Sequence, residues 1–224
     1  MEKEKRLNTA KFTQRIILPA LVILVAIAVV TIFLFRAAKV AEYNNPLDQT
    51  KINEAIARNE GLSVKRQALV DAAVSLVGKV NYFWGGKSDA IGWDDEWGTL
   101  KEVDSQGSDT TGSMRPYGLD CSGYISWCYI QLGMSFREME EKVGNGSTNQ
   151  WKKSFEIELS EVEPGDLIFQ YEPNSSDGNH VGICIGFNEN GDPLIAHCSA
   201  QFDNVVVTTR GVIFNYARRL SFLD

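Results

Sequence analysis

The stretch DCSGYISWC, residues 120–128, sets the fold expected of this 224-residue chain. Asp120 suits the N-cap position of a helix and Gly133 suits its end. Between them four residues share one helical face at the spacing of a buried stripe: Cys121, Ile125, Cys128 and Leu132. Because backbone N–H groups and the helix dipole favour an anion in the first turn, we expect a lowered pKa for the Cys121 thiol. The position alone leaves two interpretations open, a nucleophile and a buried inert cysteine.

The residues before this helix predict another helix and a tight turn. Ser63 can cap a helix that runs to Val77 and ends at Gly78, with an apolar face suited to core packing. The stretch YFWGG, residues 82–86, is typical of a strand entering a turn where two backbones pass close together. Residues 87–119 then form a polar, glycine-rich segment of 33 residues, which exceeds ordinary connections and is therefore either functional or flexible.

The C-terminal half predicts an antiparallel sheet. Strands are expected, as a meander, at residues 167–169, 180–186, 194–199, 204–209 and 212–216. His180 starts one strand and His197 lies on the next, so a hairpin between them makes the two rings cross-strand neighbours. Cys128 and Cys184 are both expected to face the helix–sheet interface, as buried free thiols.

The chain has only two histidines, and both suit nucleophilic catalysis. A cysteine nucleophile needs a base that accepts its proton, and the base needs a third group that holds its other ring nitrogen. A single histidine is more often a structural side chain than a catalytic one. The pairing of His180 with His197 makes these residues, together with Cys121, a candidate triad.

These motifs resemble the NlpC-type cell-wall peptidases, papain-like cysteine enzymes of bacteria. The resemblance covers roughly residues 65–219 and rests on five ordered motifs: YFWGG at 82–86, DCSG at 120–123, PGDLIF at 164–169, HVGICIG at 180–186 and IAH at 195–197. It implies an α+β papain-like fold in which the Cys121 helix packs on an antiparallel sheet. It also implies Cys121 as nucleophile, His180 as general base and His197 as the residue that orients His180.

The resemblance further implies a substrate and a reaction. Tyr82 would line the site, and Asp120 and Ser122 would lie at the substrate's amine end. Thiolate attack on an amide carbonyl would give a thioester that water hydrolyses, with the Cys121 backbone N–H in the oxyanion hole. The family commonly cuts peptidoglycan stem peptides between D-glutamate and a diamino acid, without a cofactor or metal. The 87–119 insert is longer than in compact members and is expected to be a lid or specificity loop.

Residues 16–35 read IILPALVILVAIAVVTIFLF, twenty residues without a charge. A helix of this length spans about 30 Å, the thickness of the hydrocarbon core of a bilayer. The apolar run is too long for a signal peptide and no small-x-small cleavage site follows it, which favours an uncleaved single span. The N-terminal flank has five Lys and Arg residues and the C-terminal flank has three, so we expect the N-terminus in the cytoplasm.

The expected organisation is a cytoplasmic tail at 1–15, a transmembrane helix at 16–35, a polar stalk at 36–60 and an extracytoplasmic peptidase domain at 61–224. The net charge of −7 divides into +3 for residues 1–35 and −10 for the rest, which argues against nucleic acid as a partner. We therefore expect a bacterial cell-membrane protein whose tether keeps it near peptidoglycan. Three alternatives stay open: a CHAP-type amidase that cuts the sugar–peptide link, an acyltransferase on the same scaffold, and a wall-binding or assembly module without hydrolytic activity.

Overall fold

The computed structural model describes residues 2–43, 45–173 and 179–223, which divide into two compact units, Met1–Ala41 and Glu42–Asp224. The first unit is built from helix α1 (Glu2–Tyr43). Among the described residues, one stretch of helix, Pro19–Ala38, is long and apolar enough to cross a membrane. It overlaps the span expected at 16–35, and its start and end each lie three residues later.

The α-helices of the second unit are α2 (Gln49–Ala57), α3 (Val64–Ser75), α4 (Cys121–Ile130), α5 (Phe136–Lys142) and α6 (Ser147–Lys153). Two of them, α3 and α4, begin at the caps that the sequence predicts. The Ser63 hydroxyl accepts the Arg66 N–H ahead of α3, and the Asp120 carboxylate accepts the Gly123 N–H ahead of α4. These bonds satisfy N–H groups that a helix start leaves unpaired.

A six-stranded antiparallel sheet forms the other half of this unit. Its strands are β3 (Phe155–Ile157), β4 (Leu167–Phe169), β5 (Val181–Phe187), β6 (Pro193–Ser199), β7 (Asn204–Thr209) and β8 (Tyr216–Arg219), in the spatial order β3-β8-β4-β5-β6-β7. The strand at 204–209 lies where the sequence predicts it. Helices packed on an antiparallel sheet confirm the α+β class.

The predicted meander is wrong at its last strand. Residues 212–215 form a turn after β7 rather than a strand, and the strand starts only at Tyr216. That strand, β8, crosses to the far side of the sheet, where it pairs with β4 and β3. Phe214 is fully buried against the sheet, so the apolar residues here reflect burial rather than strand pairing.

The sheet is covered on both faces. Val181, Ile183 and Ile185 pack in the main core with residues of α3 and α4. Cys184 belongs instead to a smaller cluster with Ile168, Ile195 and Phe214. The expectation that Cys184 faces the helix–sheet interface, as Cys128 does, is therefore wrong, because alternation along β5 places Cys184 on the face away from α4. The four cysteines are free and buried.

Part of the segment expected as a stalk folds into the second unit. Ile52 and Ala55 of α2 are fully buried in the main core. Leu47 N–H donates to the Val207 carbonyl at 2.8 Å, and the Asn59 amide donates to the Ile185 carbonyl at 2.9 Å. A short apolar stripe on α2 thus covers the sheet, and the packed unit extends to the N-terminal side of Gly61.

The 87–119 insert is a packed hairpin rather than a flexible connection. Its strands β1 (Leu100–Glu102) and β2 (Met114–Pro116) pair antiparallel. Trp97 is buried against Trp127 of α4, with ring centroids 5.7 Å apart. The Trp84 indole N–H donates to the Gln106 carbonyl at 3.0 Å, which ties the tip of the insert to the YFWGG segment.

Candidate active site

The first turn of α4 packs against the glycine turn that precedes the insert. A Cβ on Gly123 would lie 2.1 Å from the Gly86 carbonyl oxygen, and a Cβ on Gly86 would lie 2.2 Å from the Gly118 oxygen. The Asp120 N–H also donates to the Gly86 carbonyl, at 3.1 Å. The close backbone approach predicted for the glycine pair is confirmed, and it holds Cys121, the first residue of α4, in a fixed position.

The two histidines lie side by side at the adjoining ends of β5 and β6. Nε2 of His180 is 2.9 Å from Nδ1 of His197, and the two rings meet nearly at right angles. Phe214 packs against both rings, with centroid distances of 5.6 and 5.3 Å. His197 is fully buried, so its ring orientation is fixed by the surrounding side chains.

A hydrogen-bonded chain runs from the second histidine to β7. Nε2 of His197 is 3.2 Å from the Thr208 hydroxyl oxygen. If Nε2–H of His197 donates to Thr208, its Nδ1 is free to accept from Nε2–H of His180. In these tautomers Nδ1 of His180 carries a lone pair, which is the state a general base needs.

Cys121 lies beside the backbone that leads into His180. Its Sγ is 3.9 Å from the carbonyl oxygen of Asn179, and only 7% of the residue is exposed. Within the part of the chain that the structure describes, the hydrogen bond recorded for the thiol goes to this carbonyl rather than to an imidazole. The structure thus brings Cys121, His180 and His197 into one region, with the two imidazoles in direct contact.

The expected lowering of the Cys121 pKa is wrong. Burial, followed by the neighbouring Asp120 carboxylate, raises the pKa of this thiol to about 12. Backbone N–H groups of Val181 and Ser122 and the Lys87 ammonium oppose the shift without reversing it. The helix start does favour an anion, but the free energy needed to remove a thiolate from water is larger than the stabilisation that the helix dipole provides.

Burial has the opposite effect on the histidines. It lowers the pKa of His180 to about 4, although the Asp120 carboxylate raises it in part. The pKa of His197 also falls well below its usual value, through burial and then through its neighbour His180. Both imidazoles are therefore neutral near pH 7, as the proposed base and its partner require.

Tyr82 is placed near the nucleophile. Burial and then the charge of Cys121 raise the pKa of its phenol, so the phenol stays protonated at neutral pH. Its backbone N–H donates to the Asp203 carboxylate at 3.1 Å, and the residue bridges to Leu119 just before α4.

Asp120 and Ser122 are already engaged in the chain itself. The Lys87 ammonium lies 3.0 and 3.1 Å from the two Asp120 carboxylate oxygens and 2.7 Å from the Ser122 hydroxyl. The Ser122 hydroxyl in turn donates to Asp120 at 2.7 Å. The residues expected to receive a substrate amine thus hold a lysine ammonium, which neutralises a carboxylate that is 9% exposed.

The model of the NlpC/P60 family matches residues 78–205, which is more than half of the chain and includes Cys121, His180 and His197. The chain belongs to the NlpC/P60 family. Membership confirms the resemblance drawn from the five motifs, and with it the papain-like form of the α+β fold.

The curated proteins that are similar to this chain include a probable endopeptidase of much greater length. Probable endopeptidase Rv2190c of Mycobacterium tuberculosis is 28% identical over 140 residues, which cover 62% of this chain and 25% of that protein. The chain therefore spans about a quarter of the length of the curated relatives that match it at this level.

Two solved structures from the same organism are similar in fold. The peptidoglycan hydrolase RipB is 21% identical with a TM-score of 0.47, covering 79% of this chain and 70% of RipB. RipD, described as a non-catalytic NlpC/p60 domain protein adapted to peptidoglycan binding, is 18% identical with a TM-score of 0.46. The matched region covers 70% of this chain and 98% of the RipD chain.

Three residues of this NlpC/P60 site were missed by sequence reasoning: Lys87, Thr208 and Phe214. Lys87 directly follows the glycine pair, but nothing in its neighbourhood signals a partner 33 positions away. Thr208 alternates with inward-facing valines on β7. This pattern predicts the face of the strand on which Thr208 lies, but it does not identify His197 as its neighbour. The sequence predicts a strand at 212–216, and that prediction gives no indication that Phe214 packs against the two histidine rings.

Metal binding has no obvious place here. Across residues 2–43, 45–173 and 179–223, no group of three or more His, Cys, Asp and Glu side chains is arranged to hold a metal ion.

Proposed function

We propose that this NlpC/P60 domain is a cysteine endopeptidase that hydrolyses peptidoglycan stem peptides, at the bond between D-glutamate and a diamino acid. The observation that carries the proposal is the 2.9 Å contact between His180 and His197 beside the buried start of α4. A nucleophile, a base and a group that holds the base are the minimum for acyl transfer through a thioester.

The catalytic cycle begins with two neutral groups. His180 Nδ1 removes the Cys121 proton as the sulfur attacks the amide carbonyl, and the Cys121 backbone N–H donates to the oxyanion. His180 then returns the proton to the departing amine, which leaves the thioester. Water, deprotonated by His180, cleaves the thioester and regenerates the thiol. His197 accepts from His180 throughout and stabilises the imidazolium.

The amine end of the substrate binds at Asp120 and Ser122, with Tyr82 lining the site. In the free chain the Lys87 ammonium is paired with the Asp120 carboxylate. When substrate binds, the ammonium of the substrate takes the place of the Lys87 ammonium. The exchange preserves charge neutrality around Asp120, which keeps the cost of burying this carboxylate low.

The same proposal includes a location. Pro19–Ala38 anchors the chain in the bacterial cell membrane as a single span, with the N-terminus in the cytoplasm and the domain on the wall side. An acidic domain has no electrostatic attraction to an anionic wall, so the tether supplies the proximity to substrate.

A non-hydrolytic wall-binding role is the second candidate, because RipD has a similar fold and is described as non-catalytic. The presence of Cys121 beside the backbone that leads into His180, and of His197 in contact with His180, favours catalysis over that role. The amidase and acyltransferase alternatives use the same groups and differ in the bond cut or in the acceptor of the acyl group.

The test is digestion of purified peptidoglycan by the full chain in detergent, with the fragments identified by mass spectrometry. We expect cleavage within the stem peptide, and loss of at least a thousandfold of the rate in Cys121→Ala. The matched control is Cys128→Ala, a buried cysteine on the same helix whose removal should leave activity within a few fold. Activity that persists in Cys121→Ala, or products cut at the sugar–peptide link, would contradict the proposal.

A further inference from the structure

A cleft of about 600 Å³ lies between the insert and the turn that joins β6 to β7. One wall is the aromatic segment at 82–84, the second is the insert with Val103, residues 107–110 and Arg115, and the third is the turn with Asp203. The mechanism above uses only Tyr82 from this set. The remaining lining residues have no assigned role.

Tyr82 belongs both to the lining of the cleft and to the proposed active site. A charge on Cys121 would raise the pKa of its phenol, which places the two side chains near each other. A peptide whose scissile bond lies at Cys121 and whose chain passes Tyr82 would enter the cleft along the insert.

The walls of the cleft are held in place by contacts within the domain. Ser105 packs so closely on the YFWGG turn that a Cβ on Gly85 would lie 2.0 Å from its Oγ. The Asp203 carboxylate accepts from the Tyr82 N–H and, at 3.4 Å, from the Asn81 amide, so it is committed to holding the aromatic wall. The cleft is thus a formed site rather than a gap under a mobile loop.

Arg115 is the cationic residue that lines this cleft, and its side chain is exposed. In the described ranges, which omit residues 1, 44, 174–178 and 224, no carboxylate is recorded in an ion pair with it. The other cation of the hairpin, Lys101, pairs with Glu96 at 2.6 Å and lies over the Tyr117 ring. An exposed guanidinium facing a cleft offers two parallel N–H donors that match the geometry of a carboxylate.

We propose that Arg115 binds a carboxylate of the peptide substrate, so that the insert selects stem peptides carrying free carboxylates over amidated ones. The inference rests on the proposed function, since it names a subsite of the same cleavage reaction. Asp109 and Asp203 also line the cleft, so the formal charge of its lining is −1 with Arg115 and −2 without it, and Arg115 is the group of this lining that attracts a carboxylate.

The experiment uses the full chain in detergent and two synthetic stem peptides that differ only in the free carboxylate of glutamate, present in one and amidated in the other. For Arg115→Gln we expect kcat/KM to fall about tenfold on the carboxylate peptide and to change less than about twofold on the amide. Arg115→Lys should recover part of the loss, because it keeps the charge without the paired donors. Arg137→Gln, an exposed arginine on α5, is the matched control and should leave both values unchanged.

Binding of both peptides to the Cys121→Ala chain separates this inference from the proposed function. A preference for the carboxylate peptide that Arg115→Gln abolishes supports the subsite even where no cleavage is seen, and such a result would count against the endopeptidase alone. Equal binding of the two peptides, or equal losses on both in Arg115→Gln, overturns the subsite while leaving the cleavage reaction intact.

Discussion

Burial, more than local charge, sets the protonation states of Cys121 and His180. The pKa of the thiol lies at about 12 and that of the imidazole at about 4, so both groups are neutral across the range between. A standing thiolate–imidazolium pair is therefore disfavoured in the free chain. In the proposed mechanism proton transfer therefore accompanies attack, and the contact with His197 matters because it would stabilise the imidazolium formed in that step.

The pKa of His180 determines the acid limb that we expect in the pH–rate profile. His180 must be neutral to act as base, and its lowered pKa keeps it neutral down to about pH 4. We expect kcat/KM on a stem peptide to hold steady as the pH falls through 6.5 and to decline about tenfold per unit only below about pH 4. The measurement is a pH–rate profile, with circular dichroism at each pH to exclude unfolding. An acid limb near pH 6.5 would instead indicate an exposed imidazole.

At the scale of elements, helix α4 is positioned by its contact with the glycine turn. Gly123 lies in ordinary helical backbone, so the reason for glycine there is space, since the Gly86 carbonyl occupies the place of a Cβ. The same turn carries Lys87, whose ammonium reaches back to Asp120 at the cap of α4. The helix start, the turn and Cys121 are therefore packed together as one assembly.

Gly123→Ala tests this assembly. The new methyl group meets a backbone oxygen that cannot rotate away, so we expect a loss of about 1–3 kcal/mol in the free energy of unfolding. The measurement is urea denaturation of the full chain in detergent, followed by the alkylation rate of Cys121. Glu141→Ala, exposed on α5, is the control and should change stability by less than about 0.5 kcal/mol. An unchanged midpoint for Gly123→Ala would show that α4 shifts freely against the turn.

At the scale of the whole molecule, charge is distributed by segment. Residues 1–35 carry +3 and the rest −10, so the basic tail and the acidic domain lie on either side of the apolar stretch. In the proposed topology the apolar stretch crosses the bilayer, and the basic flank favours retention of the N-terminus in the cytoplasm.

The orientation is tested by accessibility. A C-terminal epitope tag should be degraded by protease added to intact spheroplasts, because the proposed topology places the domain outside. Replacing Lys3, Lys5 and Arg6 with Gln changes the count of flanking Lys and Arg from five against three to two against three, and the resulting mixed orientation should leave a fraction of the tag protected. Lys152→Gln, a basic residue far from the span, is the control and should change nothing. Full protection of the unmodified chain would place the domain in the cytoplasm and contradict wall hydrolysis.

Local patterns in the sequence determined the elements that depend on near neighbours. Asp120 and Ser63 cap helices through bonds that span three residues, and alternation places the strand at 204–209. The glycine pair predicted a close approach because only glycine tolerates one. The placement of His180 and His197 on successive strands followed from the hairpin between them. The motifs around them were enough to indicate the family.

Only the tertiary structure decided what depends on distant contacts. β8 pairs with β4 although it follows β7 in the chain, and α2 joins the core through Ile52 and Ala55. The thiol pKa rises instead of falling because burial is a property of the packed domain, not of the helix that carries the cysteine. Pairing of Lys87 with Asp120 likewise spans 33 residues, a separation at which sequence periodicity carries no information about which side chains meet.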